Sequence, residues 1–326
     1  MNAIPVAQGS CLTDHMLLPP RNRDAYFAAR ALLAAGQPDL VRRHLLWVFE
    51  TAERPDGVWA RSYLANGRAK DTAFQLDQQL FPLLELADYL LKTGDVATAA
   101  RLVPQVGGVL TALDARRSSG ALLFTTDETP ADDPIALPYH LSSHILMWKA
   151  LRQLDALGVA GAWATRIQAL RETILKTFVA EFEGTPMFAY AADGAGRFYF
   201  YHDANDFPLA LAPAWGFLPA DDPVWRSTIA FAFSDANRGG FHDGHLGSVH
   251  SPAPWTLGDI QELIVARATG DTARADRARD ALRHAAQFDG ALPEAYNATD
   301  GSVFSRHWFV WTNAALACAE LGAFDS

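Results

Sequence analysis

The chain has 326 residues, half of them hydrophobic, with a formal net charge of -10 and a pI near 5.4. Its acidic residues are scattered rather than run together, which leaves no electrostatic footprint for nucleic acid or for an anionic membrane; a neutral small molecule or a sugar suits it better as a partner. Cys11 and Cys318 stand in unlike contexts, with no CxxC and no Cys/His ligand spacing, so zinc-ribbon and disulfide-framework classes are set aside.

Helical periodicity begins at "RDAYFAARALLAAG" and continues through "PDLVRRHLLWVFETAE", "TAFQLDQQLFPLLELADYLLKTGD" and "VATAARLVPQVGGVLTALDARR". It resumes in "LSSHILMWKALRQLDALG" and "AGAWATRIQALRETILKTFVAEF", and after an irregular middle in "FPLALAPAWGF", "PVWRSTIAFAFS", "TLGDIQELIVARATG", "TARADRARDALRHAAQF" and "SRHWFVWTNAALACAELG". The spacing predicts about eleven helices, with strand-type alternation confined to short pieces such as "RFYFYH". "AAGQPD", "KTGDVA" and "ATGDTA" carry a helix-ending Gly followed by an Asp or Pro start signal, the punctuation of helix pairs joined by short turns.

Longer connections at 55–71, 114–134, 184–206, 236–254 and 287–303 are rich in Gly, Pro, Asp, Asn and aromatics, and loops of that length in a compact domain are usually functional. With no composition break and no fixed repeat period, the expectation is a single all-α domain over residues 1–326: an (α/α)6 barrel with the long loops gathered at one face. The start of the chain has no basic-then-apolar leader, and no unbroken apolar run reaches about 18 residues, so a cytoplasmic location is expected. No segment reads as an oligomer interface.

Several loop-to-helix junctions hold polar groups that a core does not require: Arg23 and Asp24, Asp77, Asp132 and Asp133, Asp203 and Asn205, His250, and Glu294 with Arg306 and His307. Trp59, Tyr139, Tyr201, Trp215, Trp255, Trp308 and Trp311 are interleaved with them. Carboxylates among aromatic platforms suit a carbohydrate, whose apolar faces stack and whose hydroxyls hydrogen-bond, and glycoside hydrolysis needs two carboxyl groups. Each residue also has an ordinary structural role: Arg23 and Asp24 as a helix-start charge pair, Asp77 on a solvent face, Asp132 and Asp133 as caps, Asp203 and Asn205 as turn formers, the tryptophans as core. Serine-nucleophile, phosphate-loop, dinucleotide and zinc-peptidase patterns are missing, and His242 and His245 in "HDGH" lack further ligands nearby, so neither cofactor nor metal is expected.

The stretches "NRDAYFAARALLAAG", "PADDPIALPYHLSSHIL", "YHDANDFPLALAPAWGF", "GSVHSPAPW" and "LPEAYN" with "SRHWFVWTNAALACAEL" resemble, in the same order, motifs of glycoside hydrolase family 125, the metal-independent exo-α-1,6-mannosidases. The resemblance spans roughly residues 20 to 322 and implies an (α/α)6 barrel, an inverting mechanism and removal of a terminal α-linked mannose. It casts Glu294 as general base and, from Ala131, Asp132 and Asp133, points to Asp132 as general acid; the adjacency of the two acids adds the expectation that Asp133 raises the Asp132 pKa by like-charge repulsion. It places Arg23, Asp24, Asp203, Asn205, His250, Arg306 and Trp308 around the sugar. The sequence departs from the family at Arg21 and Asn22, where members carry Trp-Leu, and at Pro293, where they carry His. The "QLD" of Asp77 and the "RD" pair also resemble glucoamylase-like barrels, so an α-glucosidase and a non-catalytic glycan-binding barrel stand as alternatives.

Overall fold

The computed structural model describes residues 21–324; Cys11 lies outside them. The described helices are α1 Asn22–Ala34, α2 Pro38–Glu50, α3 Leu76–Thr93, α4 Val96–Asp114, α5 Leu141–Ala156, α6 Ile167–Phe178, α7 Phe207–Ala210, α8 Pro223–Ala232, α9 Thr256–Thr269, α10 Thr272–Ala285 and α11 Val310–Glu320. Packing separates them into two layers. α1 packs on α3, α3 on α5, α5 on α7, α7 on α9, α9 on α11, and α11 back on α1, which closes an inner ring. α2 and α4 lie against α3, α6 against α5, and α10 against α9, as the outer layer. This is the (α/α)6 arrangement, and its sequence cause is visible in the inner helices. Every residue of α3 from Leu76 to Leu90 is buried, because an inner helix has neighbours on all sides, whereas outer α10 buries only one stripe.

The turn punctuation works locally as read. Gly94 and Gly270 close α3 and α9 at φ 65° and 71°, in the left-handed region that suits Gly. Asp95, Asp222 and Asp271 then cap α4, α8 and α10 by accepting from the amides of Thr98, Trp225 and Arg274 at 2.9–3.0 Å. α4 is long and apolar enough by composition to cross a membrane; in the barrel it packs against α2 and α3.

Three segments differ from the periodicity. The helix expected through Phe182 ends at Phe178, and β4 Val179–Phe182 pairs antiparallel with β5 Thr185–Phe188, because the chain reverses at Glu183 and Gly184, both at positive φ. In "FPLALAPAWGF" only Phe207–Ala210 is helical, the rest being turns around Pro213 and Gly216. α11 starts at Val310, since Ser305 belongs to a strand. The long connections carry small antiparallel sheets: β1 Ser62–Tyr63 with β2 Ala69–Asp71, β3 Tyr139–His140 with β6 Ala191–Ala192 and β7 Phe198–Tyr199, β8 Phe241–His242 with β9 His245–Leu246, and β10 Ala295–Tyr296 with β11 Val303–Ser305.

The N-caps of the inner helices are Arg21, Gln75, His140, Asp206, Trp255 and Phe309. Arg21, Trp255 and Phe309 line one recess and Gln75 reaches it through Asp132, so these amino ends gather at the same end of the barrel. Beneath them the axis is plugged by aromatics from four inner helices: Phe27 meets Phe207 at 5.1 Å, Trp311 at 5.6 Å and Phe81 at 5.9 Å between ring centroids. The plug gives the end of the barrel a rigid floor, and six positive helix dipole ends point toward whatever sits above it.

Candidate active site

The start of α1 supplies the first wall. Arg23 is buried, donates from Nη1 to Asp77 Oδ2 at 2.7 Å, and lies over the Trp311 ring at 4.8 Å. This ties α1, α3 and α11 together through a guanidinium that stacks and hydrogen-bonds at once. Its Nε and the Oδ1 of Asp24 are buried and face each other as an ion pair at 3.9 Å, too long for a hydrogen bond, and neither finds a hydrogen-bond partner among the described residues. Burial pushes the Asp24 carboxyl above its ordinary range, against the pull of Arg23 and Arg21.

A tight turn supplies the second wall. Thr129 accepts at Oγ1 from the amides of Ala131 and Asp133, at 3.2 and 3.4 Å, and its carbonyl accepts from the amide of Asp132 at 3.0 Å. These bonds hold Asp132 at φ 69°, a left-handed conformation uncommon outside Gly. Its Oδ2 accepts from Arg21, its Oδ1 accepts from Gln75 Nε2 at 2.8 Å, and Arg23 Nη2 stands 3.8 Å from Oδ1. Burial alone would raise this carboxyl, but Arg21 and Arg23 outweigh it and hold Asp132 well below the usual carboxylate range. The expected lift from Asp133 is therefore corrected: Asp133 turns its Oδ1 to His250 Nδ1 at 3.3 Å, and two arginines dominate its neighbour.

The third wall is the β10–β11 hairpin. Glu294 is 2% exposed; its Oε1 accepts from Arg306 Nη1 at 2.6 Å and its Oε2 from Ser305 Oγ at 2.8 Å. Its carbonyl accepts from the amide of Thr256 at the first turn of α9, which fixes the hairpin to the inner ring. Burial raises the Glu294 pKa, opposed by Arg306 and the Ser305 hydroxyl. Arg306 itself has φ 45°, so two of the five described non-Gly residues with positive φ stand at this site, a concentration typical of functional positions.

Asp203 organises the remaining side from behind. It accepts from Tyr201 Oη at 2.6 Å, Ser248 Oγ at 2.8 Å, and Asn205 N and Nδ2 at 2.9 and 2.6 Å. With all four bonds made, it anchors Asn205 and the 248–250 loop. His250 is raised by its bond to Asp133.

Arg21, Arg23, Asp24, Asp132, Asn205, His250, Glu294 and Arg306 thus line one narrow recess with only about 10 Å³ of free volume, with Trp255, Phe309 and Trp311 as its apolar surfaces. Asp77 and Asp203 lie one hydrogen bond behind, on Arg23 and Asn205, and Asp133 lies beside it on His250. Trp308 stands apart, its indole donating to Asp289. His242 and His245 are engaged elsewhere, with Gly239 O at 2.9 Å and Asp259 at 2.8 Å. Sequence reasoning singled out neither Gln75 nor Ser305, whose side chains hold the two opposed carboxylates, and saw Arg21 only as a departure. A larger recess, about 410 Å³, is lined by Ala210, Pro213, Ile264, Arg267 and Ala319 among others; none of its lining residues is a carboxylate, so the chemistry selects the smaller one.

The sequence profile of the metal-independent α-mannosidases, glycoside hydrolase family 125, matches residues 117–320. The chain belongs to this family. Among solved structures, it is similar to a metal-independent α-mannosidase of Streptococcus pneumoniae in a non-productive complex with α-1,6-mannobiose, at TM-score 0.76 and 20% identity over 94% of this chain and 86% of that one. A bacterial glucoamylase complexed with acarbose shares the fold at TM-score 0.72 and 15% identity, over 94% of this chain and 49% of the other. The meiotically up-regulated gene 157 protein of Schizosaccharomyces pombe is 25% identical over 219 residues, 61% of this chain and 42% of that protein. The chain therefore matches less than half the length of that curated relative. These family likenesses locate the (α/α)6 fold among glycosidases, and the recess at the amino ends of its inner helices is where two carboxylates face a common space.

Proposed function

We propose that the protein is an inverting, exo-acting glycoside hydrolase that removes a terminal α-linked mannose, with α-1,6 as the preferred linkage. The observation that carries this reading is the pairing of Asp132 and Glu294, which reach one small recess from separate loops in a chain of the metal-independent α-mannosidase family. α-1,6-Mannobiose is the ligand of the similar streptococcal enzyme.

In this mechanism Glu294 is the base. Burial lifts its affinity for a proton, and Ser305 and Arg306 orient it, so it takes a proton from water as the water oxygen bonds to the anomeric carbon. Asp132 gives its proton to the leaving oxygen as the glycosidic bond breaks. Inversion requires room for that water, with the carboxyl groups about 6.5–9.5 Å apart. Arg23 and Asp24, whose buried Nε and Oδ1 pair at 3.9 Å without a hydrogen bond, hold sugar hydroxyls. Since Asp132 is ionised in the substrate-free chain, its acid form arises only once substrate has changed its surroundings.

Asp133 is the second reading for the acid, favoured by one observation: its Oδ2 is buried and has no hydrogen-bond partner among the described residues. Proton NMR of α-1,6-mannobiose hydrolysis tests the whole reading. β-Mannose as the first product supports inversion; α-mannose first rejects it. Release of glucose alone from α-glucosides moves the function to the glucoamylase type. A ligand-induced rise in Tm without cleavage moves it to a binding barrel. Loss of activity in Asp132→Asn but not Asp133→Asn separates the two acids.

A further inference from the structure

We propose that Arg21 is a displaceable internal occupant of the recess: its guanidinium stands on Asp132 where part of the sugar must go, and substrate entry expels it. The catalytic consequence rests on the reading of Asp132 as the acid; the occupancy itself does not.

Three observations carry this. First, Arg21 is placed to move. It is the N-cap of α1, extended at φ -128° and ψ 133°, and its side chain caps nothing. Its departure therefore breaks no helix bond. Second, the recess is small and Arg21 is one of its linings, joined there to Asp132 with only 15% of its side chain exposed. Third, Asp132 keeps other partners when Arg21 leaves. Gln75 Nε2 remains at 2.8 Å and Arg23 Nη2 at 3.8 Å, so the carboxyl is not abandoned in the interior.

The charges facing Asp132 from every side fit the role. Arg23 and Asp24 come from α1, Asp77 from α3 behind Arg23, and Arg61 and Asp71 from the β1–β2 region. Glu128 shares Gln75 with it, Asp133 follows it in the same turn, and Glu294, Arg306 and His250 line the recess with it. Arg23 is committed to Asp77, Arg61 to Asp71 and Glu128, and Arg306 to Glu294. Arg21 alone among these arginines has no other ion-pair partner among the described residues, and it also feels Asp24 and Glu294. It is the cation whose loss most changes the proton affinity of Asp132. A neutral sugar that replaces it removes the larger of the two cationic influences on Asp132 and raises its proton affinity, which is how a general acid acquires its proton from solvent before giving it to the leaving oxygen.

The test uses Arg21→Leu and Arg21→Lys in the full chain, with Arg21→Gln as a further neutral variant should Leu loosen the fold. Calorimetric titration with mannose is expected to show severalfold tighter binding in the neutral variants and little change in Lys. Carbon-13 NMR of the Asp132 carboxyl is expected to show its titration move to higher pH in the neutral variants only. In kinetics, the basic limb of kcat/KM, which reports the free enzyme, moves up with it, about tenfold in rate on that side per pH unit. The kcat profile, which reports the complex with Arg21 already gone, moves little. Weaker mannose binding with an unmoved Asp132 titration would overturn the proposal and make Arg21 a structural or sugar-contacting residue. Should Asp132→Asn retain activity, the acid assignment fails, while the binding and NMR arms still decide whether Arg21 occupies the recess.

Discussion

Glu294 and Arg306 are tied to each other twice: the Arg306 guanidinium donates to Oε1 at 2.6 Å, and the Glu294 amide donates to the Arg306 carbonyl at 3.0 Å. One bond sets charge, the other sets position. Because the backbone link survives a side-chain change, Arg306→Met tests the charge alone. Removing the guanidinium deletes the main influence opposing burial, so the Glu294 pKa rises further. A base must be ionised to work, and the acid limb of kcat/KM therefore moves to higher pH, with about tenfold loss on that limb for each unit. A pH–rate profile checks this; an unmoved acid limb removes Glu294 from the role of base.

Gln75 is fully buried at the N-cap of α3 and donates from one amide nitrogen toward Asp132 Oδ1 at 2.8 Å, Thr129 O at 3.1 Å and Glu128 Oε2 at 3.1 Å. Gln75→Leu has nearly the same volume and none of these bonds. The expected stability loss is about 1–3 kcal/mol from the stranded acceptors, read by denaturant unfolding. The larger effect is on the turn that presents Asp132, so kcat/KM falls by more than the folded fraction does. A variant as active as the parent would show that the turn holds Asp132 without Gln75.

How much of this was legible follows from whether the signal is local. The Gly94–Asp95 and Gly270–Asp271 junctions were readable because a left-handed Gly and a capping Asp act on their own helix ends. The strand Val179–Phe182 was not, since its partner Thr185–Phe188 and the surface it covers are tertiary facts that overrode a helical pattern. Asp132 and Glu294 stood out as acids in loops beside aromatic helices. Gln75 did not, because a buried Gln before a helix has the same letters as a surface one. The charge state of Asp132 was misread for a related reason: its sequence neighbour Asp133 was visible, while Arg21, 111 residues away, was not. Trp308 follows Arg306 by two positions yet bonds Asp289, because the left-handed turn at Arg306 redirects the chain.

Gly258, in the first turn of α9, lies under the β8–β9 hairpin so closely that a Cβ there would stand 2.1 Å from Leu246 O. No side chain rotates away from a backbone carbonyl. Gly258→Ala must push the hairpin off α9, at a cost of about 1–3 kcal/mol. Trp255 and Thr256, which precede it, connect α9 to the Glu294 segment through the Trp255–Ala295 bridge and the Thr256 amide. The expected outcome is a lower Tm accompanied by a lower kcat, measured by thermal unfolding and steady-state rates. A lower Tm with kcat intact would mean that the hairpin and Glu294 move independently.

Asp203 gives the sharpest separation between positioning and chemistry. It accepts four hydrogen bonds while buried, and Asn205 is the partner that lines the recess. Asp203→Ala leaves the Tyr201 and Ser248 hydroxyls and both Asn205 donors without their acceptor, and each such loss costs about 1–3 kcal/mol, with less than full additivity. Asp203→Asn keeps one acceptor oxygen for Asn205, and the two hydroxyls can rotate, so it is expected to be the milder change. Both variants loosen the hold on Asn205 and the His250 loop, the Ala variant more, without touching Glu294 or Asp132 directly. KM for α-1,6-mannobiose is therefore expected to rise more than kcat falls, with the Asn variant recovering most of the Ala defect. If kcat instead collapses at unchanged KM in both, Asp203 acts on the reacting bond itself and belongs with Asp132 and Glu294.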